Sequence, residues 1–457
     1  MADPLALRGA TVLVCGARVA GQAAARALLA RGAHVLICDR DEPVGLAELC
    51  AAGAVFAGSI DEVPPGVSLV VTSPGWVPEH PLLVGAQQRG LEVLGEVEFA
   101  WRLRGPRTAP WLMVTGTNGK TTTVRMLESI LRADGRRALA VGNVGVSIID
   151  AVTAEPAYDV LAVEASSFQL HWSSTLAPQA GALLNLAPDH LDWHTSMAAY
   201  AAVKTRVWAG DVAIGNADDP TVATLLDAAR APARVTFTLG VPGRGQLGVR
   251  DGVLVDAAFG DLEHELLGVN DVTPRGAHNV ANALAATALA RAHGVTTEAV
   301  GAGLRAFQPD PHRNQFLFTL AGVDYVDDSK ATNPHAALAS LSAYRPVVWI
   351  AGGQLKDAPV DELVAAVAPR LAGVVLLGAD RARLAAALRR HAANVPVIDV
   401  SSTDDGAMIE VVRAAAGLAR PGDTVLLAPA AASYDMFSGY AARGAAFAAA
   451  AQAVGIR

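Results

Sequence analysis

Residues 116–123 read G-T-N-G-K-T-T-T and follow the apolar run W-L-M-V-T. Two glycines let the backbone turn tightly, so that successive N–H groups point at a single anion. A helix beginning at Lys120 adds the partial positive charge of its N-terminus. The lysine brings a point charge to the β and γ phosphates, and the Thr121 hydroxyl suits Mg²⁺. Gly116, Thr117, Asn118, Gly119, Lys120, Thr121 and Thr122 are therefore expected to hold a nucleoside triphosphate. The loop is more compact than the general G-x-x-x-x-G-K-[ST] pattern, because Val114 stands where its first glycine would be.

Other residues can do chemistry only in company. Glu164 closes the apolar run V-L-A-V-E. Ligands of α/β sheets gather beyond the carboxyl ends of strands, so Glu164 and Thr121 form a candidate oxygen pair for Mg²⁺. Alone, Glu164 reads more readily as a surface residue ending a strand. His190, in P-D-H-L-D-W-H, is a metal ligand or a structural histidine. Lys204, in A-Y-A-A-V-K, reads as a surface helix lysine, since a protonated amine cannot ligate a cation. Asn279, in G-A-H-N, opens an Ala/Leu-rich stretch and reads as a helix cap. Near the N-terminus, C-G-A-R-V-A-G begins like a dinucleotide fingerprint but carries Arg18 in place of a glycine, which argues against a nicotinamide dehydrogenase. The turn still suits a diphosphate, with Arg18 its partner, and Asp39 is placed for a base or ribose contact.

The elements that must position these residues follow from the alternation of short apolar runs with Ala/Leu/Arg-rich stretches. That pattern predicts βαβ units and parallel sheets, an α/β protein. A chain of 457 residues, 52% apolar and 18% charged, builds two to four cored domains. Three blocks are expected. Residues 1–104 form a Rossmann-like domain with strands Thr11–Cys15, His34–Cys38 and Leu69–Thr72, a helix Gly21–Arg31, and a linker over Arg102–Pro110. Residues 105–308 form a P-loop ATPase-like domain with strands Trp111–Thr115, Val160–Glu164 and Ala182–Asn185, helices Lys120–Ala133 and Ala281–Ala292, and a small hairpin insertion within 233–256 turning at Asp251-Gly252. Residues 309–457 form a second Rossmann-like sheet with strands Val323–Asp327, Val347–Ala351, Val374–Leu377, Val395–Val400 and Thr424–Ala428. The net charge of −8 with scattered Lys and Arg gives no basic stripe, so no nucleic-acid partner is expected. Cys15, Cys38 and Cys50 lack metal or disulfide spacing and are expected to be buried. No apolar run reaches the ~18 residues of a spanning helix, so no membrane partner is expected and the chain reads as cytoplasmic.

G-T-N-G-K-T-T-T, together with T-S-P-G-W (72–76), G-N-V-G (142–145), E-A-S-S-F-Q-L (164–170), N-L-A-P-D-H-L-D (185–192), G-A-H-N (276–279), P-H-R (311–313), D-D-S-K-A-T-N (327–333) and S-Y-D-M-F (433–437), resembles the Mur ligases. These are ATP-dependent amide-forming enzymes of peptidoglycan precursor assembly. The resemblance runs through all three blocks, and S-P-G, E-x-S-S-F-Q-L and D-S-K-A-T-N are similar to the member that adds D-glutamate. It implies an acyl phosphate made from ATP on UDP-N-acetylmuramoyl-L-alanine (UDP-MurNAc-L-Ala) and attacked by D-glutamate. It implies two Mg²⁺ ions held with the help of Thr121, Glu164, His190 and Lys204, the last carbamylated, with Lys120, Glu164, His190 and Lys204 as the catalytic set. Asn279, His312, Arg313 and Asp328 are implied nucleotide contacts. Ser73, Pro74, Gly75 and Asn143, joining Arg18 and Asp39, are implied contacts of the UDP-sugar substrate. Lys330, Thr332, Lys356, Ser433, Tyr434 and Phe437 are implied contacts of D-glutamate. A monomer is expected. Two alternatives are another ligase of the family, such as a folylpolyglutamate synthase, and a non-catalytic nucleotide-gated binding protein on the same scaffold.

Overall fold

A computed structural model describes residues 5–105, 108–356, 358–404 and 406–455. Three sheets carry the chain. The first comprises β1 (Thr11–Cys15), β2 (His34–Cys38), β3 (Val55–Gly58), β4 (Val67–Thr72) and β5 (Glu92–Gly95), all parallel in the order β3-β2-β1-β4-β5. The second comprises β6 (Trp111–Thr115), β7 (Ala138–Gly142), β8 (Val160–Glu164), β9 (Ala180–Leu183), β10 (Val212–Asn216), β11 (Ala233–Phe237), β12 (Gln246–Arg250), β13 (Val253–Asp256) and β14 (His264–Gly268), in the order β14-β13-β12-β11-β10-β9-β6-β8-β7. The third comprises β15 (Gln315–Leu320), β16 (Val323–Asp327), β17 (Val347–Gly352), β18 (Leu371–Leu377), β19 (Val397–Asp399) and β20 (Thr424–Leu427), in the order β15-β16-β20-β17-β18-β19. β6 and β17 are buried along their whole length, as expected of parallel strands covered by helices on both faces.

Contacts divide the chain into two compact units. Met1–Asp271 with Ala281–Phe307 makes the first, and Val272–Val280 with Gln308–Arg457 the second. The first two sheets both lie in the first unit. They are joined there through the helix Glu96–Leu103, whose Glu98 is fully buried. The Glu98 carboxylate accepts hydrogen bonds from the Ser174 N–H at 3.0 Å, the Thr175 N–H at 3.1 Å and the Arg102 Nε–H at 2.8 Å. Burial by itself raises this carboxyl, but the bonds from Thr175, Arg102 and Ser174 outweigh it and hold the group below its ordinary range.

Several expectations need correcting. Arg102 and Leu103 belong to a helix and not to a linker, because Arg102 is held by Glu98 and by Glu92 at 2.7 Å; residues 106 and 107 of that linker lie outside the described residues. The first helix runs Val19–Leu29, two residues earlier than the spacing predicts. β9 ends at Leu183: the Leu184 N–H still bonds the Thr115 carbonyl at the end of β6, and Asn185 leaves the sheet to bond the phosphate loop. The hairpin β12–β13 does turn at Asp251 and Gly252, with φ of 51° and 77°. Its first strand, β12, pairs in parallel with β11, so the hairpin extends the second sheet. Cys15 and Cys38 are buried, but Cys50 is exposed.

Candidate active site

The phosphate loop leaves the second sheet at β6, which lies between β8 and β9 where the strand order reverses. Open α/β sheets bind ligands at such points. Gly116 and Gly119 adopt φ of 156° and 85°, and a side chain at 119 would overlap Oδ1 of Asn282, so glycine is required there. The loop is held from outside by Asn185. Its Oδ1 accepts the Asn118 N–H at 2.8 Å, its Nδ2 donates to the Asn118 carbonyl at 3.1 Å, and its own carbonyl accepts the Thr117 N–H at 3.0 Å. Thr117 Oγ1 lies 3.2 Å from the Tyr200 hydroxyl and accepts the Ala187 N–H at 3.0 Å. Lys120 Nζ donates to the carbonyls of Gly116 and Thr117, each at 2.9 Å. Thr122 follows on the first turn of the helix Lys120–Ala133.

Glu164 sits at the end of β8 and is 1% exposed. Thr121 Oγ1 donates to its Oε2 at 2.7 Å and Asn143 Nδ2 to its Oε1 at 2.9 Å. One buried carboxylate thereby joins the phosphate loop to the G-N-V-G turn, and the surface reading of Glu164 is overturned. The Thr121 hydroxyl and the Glu164 carboxylate are hard oxygens meeting at a helix N-terminus, a donor pair that fits Mg²⁺.

Lys204 is also 1% exposed, which overturns the surface-helix reading. The helix Met197–Lys204 ends against the tip of β6. There Nζ donates to the Gly116 carbonyl at 2.8 Å and to Thr115 Oγ1 at 3.3 Å, and lies 4.7 Å from the Tyr200 ring centroid. Burial, and then the charge of Lys120, push its pKa well below that of an ordinary lysine. Burial thus favours the neutral form of this amine over the charged one, against the attraction of Asp189 and Glu164. His190 occupies a left-handed position at φ 52°, with Nε2 3.6 Å from Asp189 and its ring 4.8 Å from Phe168. Among the described residues no three His, Cys, Asp or Glu side chains converge as a ready metal cluster.

In the first sheet, Asp39 Oδ2 accepts the Ala17 N–H at 2.7 Å and so orders the turn before the exposed Arg18. Gly16 packs so closely on Ser73 that any side chain at 16 would overlap Ser73 Oγ. Ser73, Pro74 and Gly75 therefore stand beside the turn that follows β1, at the carboxyl ends of neighbouring strands.

In the second unit, Asn279 is not a cap. The helix begins at Ala277, and Asn279 Nδ2 donates to the Arg275 carbonyl at 3.1 Å. His312, at φ 64°, bonds Asp327 at 2.7 Å. Arg313 Nε lies 3.8 Å from Asp310. Asp328 Oδ1 accepts the Asn314 N–H at 3.1 Å, and burial raises its pKa to about 6. The loops after β16, β17 and β20 are tied together: Ala430 N–H bonds the Ala331 carbonyl at 2.9 Å, and Gln354 and Ala432 exchange two bonds of 2.9 Å. These loops carry Lys330, whose Nζ lies 3.9 Å from the Tyr440 ring centroid, and Thr332, whose N–H bonds the Lys330 carbonyl at 2.8 Å. They also carry exposed Lys356 at φ 50°, buried Ser433, exposed Tyr434, and Phe437 packed on the core of the third sheet.

Two segments match family descriptions: residues 114–290 the Mur ligase middle domain, and residues 312–431 the Mur ligase glutamate ligase domain. The UDP-N-acetylmuramoylalanine–D-glutamate ligase of Thermobifida fusca is 59% identical over 97% of this chain and 98% of its own length. The chain belongs to the Mur ligase family. Proteins of the same name from Streptomyces coelicolor and Mycobacterium tuberculosis are 54% and 49% identical to this Mur ligase, each over 99% of it and over 100% and 97% of their own lengths. Among solved structures, the UDP-N-acetylmuramate–alanine ligase of Thermotoga maritima has a TM-score of 0.59 at 18% identity, covering 97% of this chain and 99% of its own. UDP-N-acetylmuramoylalanyl-D-glutamyl-2,6-diaminopimelate–D-alanyl-D-alanyl ligase of Acinetobacter baumannii has a TM-score of 0.59 at 16% identity, over 92% and 90%. The three-sheet architecture of this Mur ligase is thus the three-domain Mur fold.

The sequence reading missed Asn185, Asn282 and Tyr200 as supports of the phosphate loop. Asn282 lies three positions after Asn279 and Tyr200 four before Lys204, the spacings that place helix residues on one face. That was the available signal.

Proposed function

We propose that this Mur ligase joins D-glutamate to UDP-MurNAc-L-Ala, with ATP cleaved to ADP and phosphate. The observation that carries this reading is the hydrogen-bonded chain Thr121–Glu164–Asn143, centred on the buried Glu164 carboxylate, which links the phosphate loop to the turn assigned to the muramoyl-alanine end. A carboxylate repels amines and has no leaving group. Transfer of the γ-phosphoryl to its oxygen gives an acyl phosphate; the amine of D-glutamate then attacks the acyl carbon, the C–O bond to phosphate breaks, and the amine loses its proton. Such transfer is governed by positioning and charge neutralisation. The loop N–H groups cradle the phosphates, and Lys120 exchanges its two carbonyl partners for the β and γ oxygens. Thr121 and Glu164 would hold one Mg²⁺, and His190 and Lys204 would help hold a second; such ions would neutralise phosphate charge.

Lys204 is assigned a carbamate, formed when its neutral amine attacks CO₂ and releases one proton. The support is its depressed pKa and the neutral character of the acceptors it bonds, the Gly116 carbonyl and Thr115 Oγ1. Carbon-13 bicarbonate should give a carbamate resonance that is absent from K204A. An unmodified amine in fully active enzyme removes this assignment.

Arg18, Asp39, Ser73, Pro74, Gly75 and Asn143 are assigned to the UDP-sugar. In the second unit, Asn279, His312, Arg313 and Asp328 are assigned to nucleotide, and Lys330, Thr332, Lys356, Ser433, Tyr434 and Phe437 to D-glutamate. Functional blocks at 1–104, 105–308 and 309–457, a monomeric state and a cytoplasmic location complete the reading; no helix among the described residues is long and apolar enough to cross a membrane. Phosphate release is the test, measured with UDP-MurNAc-L-Ala and D-glutamate, L-glutamate or no amino acid. Strict need for D-glutamate is expected, and equal turnover with L-glutamate refutes the assignment. Lys120→Ala should lower turnover by about 10²-fold or more.

A further inference from the structure

Arg443 lies on the first turn of the last helix, Tyr440–Gly455, and is 1% exposed. Its guanidinium reaches the tips of three strands. Nε donates to Ser329 Oγ at 3.0 Å and Nη2 to the Ser329 carbonyl at 2.9 Å; Nη1 donates to the carbonyls of Ala431 at 3.0 Å and Gly352 at 3.4 Å. Ser329 adjoins Lys330, Gly352 leads into the turn bearing Lys356, and Ala431 is two residues before Ser433. One side chain therefore sets the register of every loop assigned to D-glutamate. The planar fork of arginine, with five donors, suits this bridging as no other side chain does.

The charge is the second observation. All four acceptors are neutral, and among the described residues no carboxylate forms an ion pair with Arg443. Asp327 is occupied by His312 at 2.7 Å and by the Ser329 N–H at 2.9 Å; Asp435 Oδ2 accepts the Ala379 N–H at 2.7 Å. A buried cation without a paired anion is costly. Desolvation lowers its pKa to about 10, the attraction of the Asp435 and Asp327 carboxylates offsetting only part of that cost, and the group stays charged at neutral pH. A clamp alone would not need that charge, whereas a doubly anionic amino acid above the loops would be attracted by it.

We propose that Arg443 is a positioning residue of the amino-acid site: it locks the three loops together, and its unpaired charge favours a dicarboxylate acceptor over a neutral one. This rests on the D-glutamate reading. The test begins with the wild-type enzyme, whose use of D-glutamate establishes that reading independently. R443M and R443K are then compared by the KM for each of the three substrates and by the ratio of turnover with D-glutamate to that with D-glutamine. R443M should raise the KM for D-glutamate about tenfold or more and leave those for ATP and UDP-MurNAc-L-Ala within about twofold. The glutamate-to-glutamine ratio should fall in R443M and recover in part in R443K, which keeps charge but not the fork. An unchanged KM for D-glutamate, a parallel rise of all three KM values, or an unchanged ratio overturns the proposal. Where R443M does not fold, R443K and S329A decide it: each should raise the KM for D-glutamate selectively, and wild-type values in both overturn the proposal.

Discussion

Single residues are tuned here by what touches them. Gly444 shows it sterically: a methyl group there would overlap Nδ1 of His312 and come within 2.8 Å of Asp327 Oδ2. Gly444→Ala should therefore disturb the His312–Asp327 pair, lower the melting temperature by several degrees and raise the KM for ATP, measured by phosphate release. Asp328 shows it electrostatically. Its folded-state pKa, about 6, exceeds the ordinary 3.8, so the folded state holds the extra proton between those values. Its contribution is full below pH 4 and is lost as pH rises through 6. Asp328→Asn should hence stabilise the protein by about 3 kcal/mol at pH 8 and by nothing at pH 4, while weakening ATP binding. Denaturant melts at the two pH values check this; equal effects at both would contradict it. The role of Lys204 could not be read from its own residue type. A lysine four places after a tyrosine is an ordinary surface pattern, and only the approach of its helix to the tip of β6 buries it.

At the level of elements, the sequence was most readable where local chemistry and the sheet agreed. The helix Lys120–Ala133 and strands β1, β2, β6 and β8 stand where apolar runs and glycines place them. β9 departs because Asn185 is recruited by the phosphate loop, a long-range bond with no local signal. The hairpin β12–β13 was legible from Asp251-Gly252, but its joining to β11 depends on pairing between distant residues. The helix Glu96–Leu103 was missed as a connection because the flanking proline and glycine suggest a linker, while its anchor is the partner set of Glu98. That carboxyl has a folded-state pKa below its unfolded one, so its contribution is present above about pH 4.5 and lost as pH falls through the depressed value. Glu98→Gln should cost about 2 kcal/mol at pH 7, and the deficit should shrink under acid conditions. Urea unfolding at pH 7 and pH 3.5 measures the difference, and a constant deficit would count against this account.

On the scale of the whole molecule, two compact units need not melt together. Calorimetry should resolve two transitions, and UDP-MurNAc-L-Ala should raise only the one belonging to the unit that contains the first sheet, since a ligand stabilises what it binds. R443M should lower only the other. A single transition shifted by either change would contradict this division. The third sheet adds a constraint of timing. β20, the last strand of the chain, is inserted between β16 and β17. A polypeptide emerging from the ribosome therefore carries two half-built sheet halves with bare facing edges until β20 has emerged. Premature stop codons upstream of Thr424 should leave a well-formed first unit fused to a sticky, protease-sensitive remainder, so even short truncations at the far end would cost the cell the whole second unit.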